Sequence, residues 1–334
     1  MKGKTEELLR RERMDSKLST LIDLFVATKQ TEGRSEATVQ WYRDKLMRFA
    51  DFLHDGDIAT ISDVSLSTAR AFVASLQHQE RVYEDHPFRK PREGGLSSHT
   101  IHGYVRTLKV FSAWLFEEGF TAENVLERLK RPKVSAPVIE VLSDGELQQI
   151  LASIEPRTVQ GARQQLVFLL LLDTGIRASE LCGIELDDVR LDQDCLKVRG
   201  KGNKERFVPI CANTKKAILR YINTWRPEPA SSQISNLVLS EDGYTLTSGA
   251  LLQMIKRLGK RAGVPRLHPH LFRHTFAVKY LMNGGDVMTL KNILGHTTLT
   301  VTQMYMHLAD VHVQTQHAKY SPADRLVIGR GKRR

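Results

Sequence analysis

Residues 166–172 read LVFLLLL, inside the longer stretch ARQQLVFLLLLDTGIRASELCGI. A helix built on such a run is apolar on every side, so it has to be surrounded by protein. The run falls well short of the roughly 18 apolar residues that read as a membrane span. Other elements must therefore be wrapped around this helix. Gly175 marks where it breaks, and Arg177 follows two residues on. A guanidinium at the end of a buried helix needs a partner or a ligand.

The 334 residues are too many for one comfortable core and suit two domains. After a charged helical lead-in at 1–14, the pattern stays helical as far as Gly119. Ser35 is placed to cap a helix through SEATVQWYRDKLMRFADFLH, where Val39, Tyr42, Leu46, Phe49 and Leu53 recur near a 3.6 period. Two more helices are expected in SLSTARAFVASLQHQ and SSHTIHGYVRTLKVFSAWLFEEG. RVYEDHPFRKPREGG, between them, is rich in Pro, Gly and charge and reads as a loop. A helical domain is thus expected over 15–123. Residues 124–138 follow as a linker, with Pro132 and Pro137 and the basic Lys130, Arg131 and Lys133.

A second domain is expected over 139–320, opening with a capping box at Ser143 and Glu146. In CLKVRGKGNKERFVPI two β-type runs flank a Gly-rich turn, which predicts a hairpin with Lys201 at its tip. Helices are expected in ANTKKAILRYINTW, TSGALLQMIKRLGKRAG, LFRHTFAVKYLMNGG and VMTLKNILG. Residues 321–334 form a basic tail. The fold class is mainly α with a small antiparallel β-sheet (α+β).

The formal net charge of +11 favours a polyanionic partner, nucleic acid first. Cys182, Cys195 and Cys211 lie at no metal-like spacing, which points to a reducing interior without a disulfide framework. The N-terminal MKGKTEELLRRER lacks an apolar h-region, so no secretory signal is visible. A cytoplasmic, nucleoid-associated protein with no membrane contact is expected.

The chemistry-bearing residues are individually weak signals. Lys201 alone reads as a solvated turn lysine, and a lone tyrosine such as Tyr305 reads as core. HPHLFRH supplies His268, His270, Arg273 and His274, and the three-residue spacing of His270 and Arg273 puts both on one face of a helix start. His296 follows Gly295, nine residues before Tyr305. The histidines make a poor metal site, having no H-E-x-x-H, no cysteine in reach and few carboxylates, so no metal or cofactor is expected. Two arginines, a lysine, histidines and a tyrosine, without paired carboxylates, suit a phosphodiester. Guanidinium forks match the charge on its oxygens, where metal-dependent nucleases need carboxylates to hold Mg²⁺. Tyrosine can then serve as the nucleophile if a base or a cationic site helps remove its proton.

TGIRASEL, GKGNKER, HLFRHTFA, LGH and TVTQMYMH, in that order, resemble the signature of the tyrosine recombinases, the phage integrase family, and are closest in style to Xer-type and mobile-element members. The resemblance implies a recombinase catalytic domain over 139–320 and a helical core-binding, DNA-binding domain before it. It implies that Arg177 and Arg273 bind the non-bridging oxygens of the scissile phosphate. Lys201 would be the general acid for the 5′-hydroxyl, His270 would assist as general base, and His296 would hold a phosphate oxygen. Tyr305 would attack to give a 3′-phosphotyrosine. Glu180 would orient Arg177, with an exposed helix carboxylate as the alternative, and His274 would pack beside or support Arg273 rather than contact phosphate.

The resemblance further implies a clamp around double-stranded DNA with short inverted-repeat core sites, needing neither metal nor ATP. Arg34, Arg43, Lys45, Arg106, Lys109, Lys130, Arg131 and Lys133 are candidate backbone contacts. A helix near 309–319 would dock on a neighbouring protomer, giving a homo-tetramer on two DNA sites. The expected function is site-specific recombination by integration, excision or dimer resolution. The alternatives are a type IB topoisomerase, which shares the cleavage step, and a catalytically inactive DNA-binding protein. A basic RNA-binding protein finds no RRM or KH pattern to support it.

Overall fold

The chain divides into two compact units, Met1–Pro137 and Val138–Arg334. A computed structural model describes residues 16–53, 60–79, 81–82, 92–134, 139–200, 202, 204–296, 298, 302, 304–305, 317 and 321. Lys201, the lead-in at 1–14, the docking helix expected at 309–319 and the tail at 321–334 lie outside the described residues, His317 and Ser321 excepted. Among the described residues no helix is long and apolar enough to cross a membrane.

The first unit contains α1 (Leu18–Thr31), α2 (Glu36–Leu53), α3 (Leu66–His78) and α4 (Ser98–Glu117). Val39, Tyr42, Leu46 and Phe49 are buried on one side of α2, as their spacing predicts. Phe25 of α1 sits among Tyr42, Phe111 and Trp114, with ring centroids 5.5, 5.3 and 5.4 Å away and edges turned to faces. The segment read wholly as a loop carries a short antiparallel ladder, β1 (Arg81–Val82) with β2 (Arg92–Glu93). Two residues per strand are too few to leave a period-2 signal.

The span 124–138, read as linker, begins inside this core. Leu126 and Leu129 are buried with it, and the Leu126 N–H donates to Ser112 Oγ at 3.0 Å. Residues 130–134 have no regular structure.

In the second unit, α5 (Asp144–Ala152) starts with the expected capping box of Ser143 and Glu146. The apolar run forms α6 (Val159–Thr174), buried on every side. It packs against α8 (Ala212–Arg220) and α10 (Pro269–Met282), and Phe168 meets Phe272 edge to face at 5.5 Å. Its one arginine, Arg163, is buried too and donates to Leu239 O and Glu241 Oε1.

Gly175 ends α6 at φ +60°, and a Cβ there would lie 2.4 Å from Phe276 Cδ1, so the break needs a glycine on two counts. The short α7 (Ala178–Cys182) leads to the sheet β3 (Val189–Arg190), β4 (Cys195–Arg199) and β5 (Glu205–Pro209), antiparallel throughout in that order. Leu196 pairs with Val208, and both face the core together with Val198. The helix expected through ANTKKAILRYINTW relaxes into a π-turn at Tyr221–Trp225. α9 (Ser248–Arg261) and α11 (Val287–Leu294) follow the expected bounds, and α11 closes on Gly295 at φ +64°. Ala277, Val278, Leu281, Leu290, Leu294 and Tyr305 form a small separate cluster.

Candidate active site

The glycine break gives Arg177 its place. The chain turns at Gly175, and Arg177 becomes the residue that begins α7. Its backbone N–H donates to Glu180 Oε2 at 2.9 Å and its Nη1 to Glu180 Oε1 at 2.8 Å. The Arg177 side chain remains about a third exposed (36%), while that of Glu180 is almost wholly buried (2%). Glu180 is therefore no surface carboxylate. It also takes both ends of the Arg206 fork, Nη1 at 3.0 Å and Nη2 at 2.8 Å. Arg206 Nε in turn donates to Ile293 O at 2.8 Å. Burial pushes the Glu180 carboxyl up, but the hydrogen bonds from Arg206 and the Arg177 N–H outweigh it and hold the pKa at about 2.

Arg273, on α10, is buried. Its Nη1 donates to Gly175 O, and its Nη2 to Leu294 O and to His296 Nε2, each at 2.8 Å. The guanidinium is thereby pinned between the break after α6 and the end of α11. Its Nε–H and one Nη1–H have no partner among the described residues, which leaves two donors for a ligand. Burial, then the nearby Arg177, lowers its pKa to about 10, so it stays charged at neutral pH.

His296 accepts from Arg273, so its ring proton sits on Nδ1 and is donated to Thr302 Oγ1 at 2.9 Å. Burial and the surrounding arginines push its pKa down to about 4, which keeps the ring neutral. In this state His296 supports Arg273 and does not present a free donor to a phosphate. His270 is an exposed residue lining the same cleft, and partial desolvation there, then Arg273, lowers its pKa.

The Tyr305 ring belongs to the small apolar cluster between α10 and α11, yet its hydroxyl lies 2.9 Å from His274 Nδ1 at the cleft. The tyrosine is thus both core by its ring and reactive by its tip. Burial raises its pKa, and Arg273 and Arg177 act against that rise. The His274 hydrogen bond goes to Tyr305 and not to Arg273.

Arg177, His270, Arg273, His274, His296 and Tyr305 all line one open cleft, together with Arg206, Lys204 and Lys291. Arg206, Lys204, Lys291 and Thr302 join the site without a spacing or motif of their own that points to it. The one signal for Arg206 was its place in GKGNKER, beside Lys204. Among the described residues no group of three His, Cys, Asp or Glu side chains could hold a metal ion.

The basic residues expected on the helical unit differ in their surroundings. Arg106, Lys130, Arg131 and Lys133 are exposed. Arg34 lies 3.8 Å from Glu32, and Arg43 pairs with Asp23 at 2.8 Å. Lys45 is held between the Trp41 and Tyr104 rings, at 4.5 and 4.6 Å from their centroids. Lys109 has a structural job instead, donating to the carbonyls of Glu127 and Leu129 at 2.5 and 3.2 Å.

The model of the phage integrase family matches residues 140–312. The chain is 32% identical over 312 residues to the tyrosine recombinase XerC of Oceanobacillus iheyensis, covering 92% of this chain and 97% of that protein. It is 30% identical to XerD of Staphylococcus haemolyticus, covering 91% and 99%. The Tn1549 transposon integrase in complex with transposon right end DNA shares its fold at a TM-score of 0.69 and 20% identity, over 87% of this chain and 94% of that one. So does XerH bound to palindromic difH substrate, at 0.68 and 20%, over 92% and 85%.

Proposed function

Since the chain belongs to the phage integrase family, we propose that it is a site-specific DNA recombinase that cuts and rejoins double-stranded DNA through a 3′-phosphotyrosine. The observation that carries this reading is the convergence of Arg177, Arg273 and the Tyr305 hydroxyl on one cleft. Arg177 and the remaining N–H donors of Arg273 hold the non-bridging oxygens of the scissile phosphate. The negative charge gathered in the transition state is met by guanidinium groups already fixed by Glu180, Gly175 O and Leu294 O, so little reorganisation is needed. Tyr305 attacks phosphorus, and the bond to the 5′ oxygen breaks. Lys201, which falls between β4 and β5 in the sequence, gives that oxygen its proton. The phosphotyrosine ester keeps the bond energy, so the reversal needs no ATP. Arginines and lysines stand where a nuclease would place metal ions, and the step needs no metal.

Double-stranded DNA with short inverted repeats is the partner, and the exposed basic residues of the helical unit supply salt-sensitive phosphate contacts. Residues 309–319 act as the docking helix of a tetramer on two such sites. The working location is the cytoplasm, on the nucleoid.

The test is strand exchange between two labelled duplexes carrying a site selected by the protein from a randomised library, in EDTA and without ATP. Recombinant products that depend on protein concentration are expected. Relaxation of supercoiled DNA by a monomer, without exchange, would assign the topoisomerase reading instead.

A further inference from the structure

We propose that His274, and not His270, accepts the proton that Tyr305 loses when it attacks the phosphate. This rests on the reading of Tyr305 as the nucleophile and assigns the group that activates it. His274 Nδ1 lies 2.9 Å from the phenolic oxygen, within the range over which a general base takes a proton directly. No other hydrogen-bond partner of that hydroxyl exists among the described residues. His270 makes no hydrogen bond to it, and its ring centroid is 6.5 Å from that of His274.

The chemistry of the pair sets the direction of the hydrogen bond. Neither group is ionised in this setting. The phenol sits in an apolar cluster, and the imidazole is half-buried near Arg273, so burial and that guanidinium both disfavour a second cation. A neutral phenol is the stronger acid of the two, so Tyr305 donates and His274 accepts, carrying its own proton on Nε2. The step balances. The Tyr305 O–H bond breaks as the O–P bond forms, and the proton becomes the Nδ1–H of His274. The electron pair of the breaking P–O bond goes to the 5′ oxygen, which is protonated from the other side of the phosphate. The imidazolium gains no carboxylate partner among the described residues, so its proton is available for return to Tyr305 when the phosphotyrosine is resolved. Reversibility follows from the same contact.

Two readouts test this. The first is ¹⁵N NMR of histidine-labelled wild type without DNA. The expected spectrum of His274 is that of a neutral ring with an unprotonated Nδ1, and a protonated Nδ1 would overturn the assignment whatever the protein does to DNA. The second is single-turnover cleavage of a nicked suicide duplex, carrying a site selected from a randomised library. His274→Gln and His274→Ala should bind the duplex like wild type and cleave it slower by on the order of 10²-fold or more.

A 5′-bridging phosphorothiolate, whose leaving group needs no proton, should leave that loss in place. A ring-fluorinated tyrosine of lower pKa at position 305 should shrink it. Rescue by the thio leaving group, or cleavage at the wild-type rate, would overturn the proposal. Should a variant fail to fold, the NMR result on wild type decides. Should wild type form no adduct with any duplex, the nucleophile reading fails while the tautomer still judges the contact.

Discussion

Replacing Arg206 by Met should destabilise the second unit by about 3 kcal/mol, and the structure gives two routes to that figure. Glu180 is buried with two arginine partners, and Arg206 supplies the bidentate one. Removing one partner of a buried ion pair costs about 3–5 kcal/mol, because the other charge is left uncompensated. The low end applies here, since Arg177 keeps its own bonds to Glu180. The Glu180 carboxyl is also held at about 2 against an ordinary 4.5, which corresponds to about 3 kcal/mol for Arg206 and Arg177 together, with Arg206 the larger contributor.

A carboxyl with a depressed pKa contributes stability that is present above 4.5 and lost as pH falls toward 2. The variant should therefore lose stability at pH 7 and also show a flatter profile across that acid window. Urea unfolding of both proteins at a series of pH values measures this. Adding Glu180→Gln to Arg206→Met should recover part of the loss, since no buried charge then lacks its partner. A loss under about 1 kcal/mol, or a further loss on adding Glu180→Gln, would refute the relay from β5 through Glu180 to Arg177.

Gly175→Ala should lower stability by about 2 kcal/mol or more and cleavage with it, because a left-handed residue gains a Cβ that meets Phe276; thermal unfolding checks it. Lys109→Ala should lower the stability of the helical unit by about 1–2 kcal/mol through two carbonyls left without their charged donor, while leaving the salt slope of DNA binding unchanged in band shifts. His296 holds a pKa of about 4, below the ordinary 6.5, so it contributes stability above 6.5 that fades as pH falls toward 4. His296→Asn should remove up to about 3 kcal/mol of pH-dependent stability in that window, as read by urea titration.

The sequence made the parts legible and hid most of their connections. The run LVFLLLL could only be an enclosed helix, and α6 is one. The helix starts at Ser143 and the stops at Gly119, Gly175 and Gly295 rest on local chemistry of a few residues, and each stands where expected. The hairpin of β4 and β5 likewise follows from a local alternation around glycines.

Long-range pairings leave no periodic trace. Glu180 meets Arg206 across 26 positions, and Arg273 meets the Gly175 carbonyl across 98. A backbone carbonyl as partner has no residue type to betray it, which is why the pinning of Arg273 and the tether of Lys109 could not be read in advance. Tyr305 was ambiguous for another reason. A tyrosine that buries its ring and offers its hydroxyl satisfies the core pattern and the catalytic one together.

Whether Tyr305 is the nucleophile is decided by trapping the covalent intermediate. Wild type and Tyr305→Phe would be incubated in EDTA with a nicked suicide duplex bearing a selected site, and SDS-stable adducts resolved by gel and mapped by mass spectrometry. An adduct is expected with wild type alone, with the nucleotide on the peptide containing Tyr305. An adduct that survives Tyr305→Phe, or its absence from wild type bound tightly to the same duplex, would contradict it.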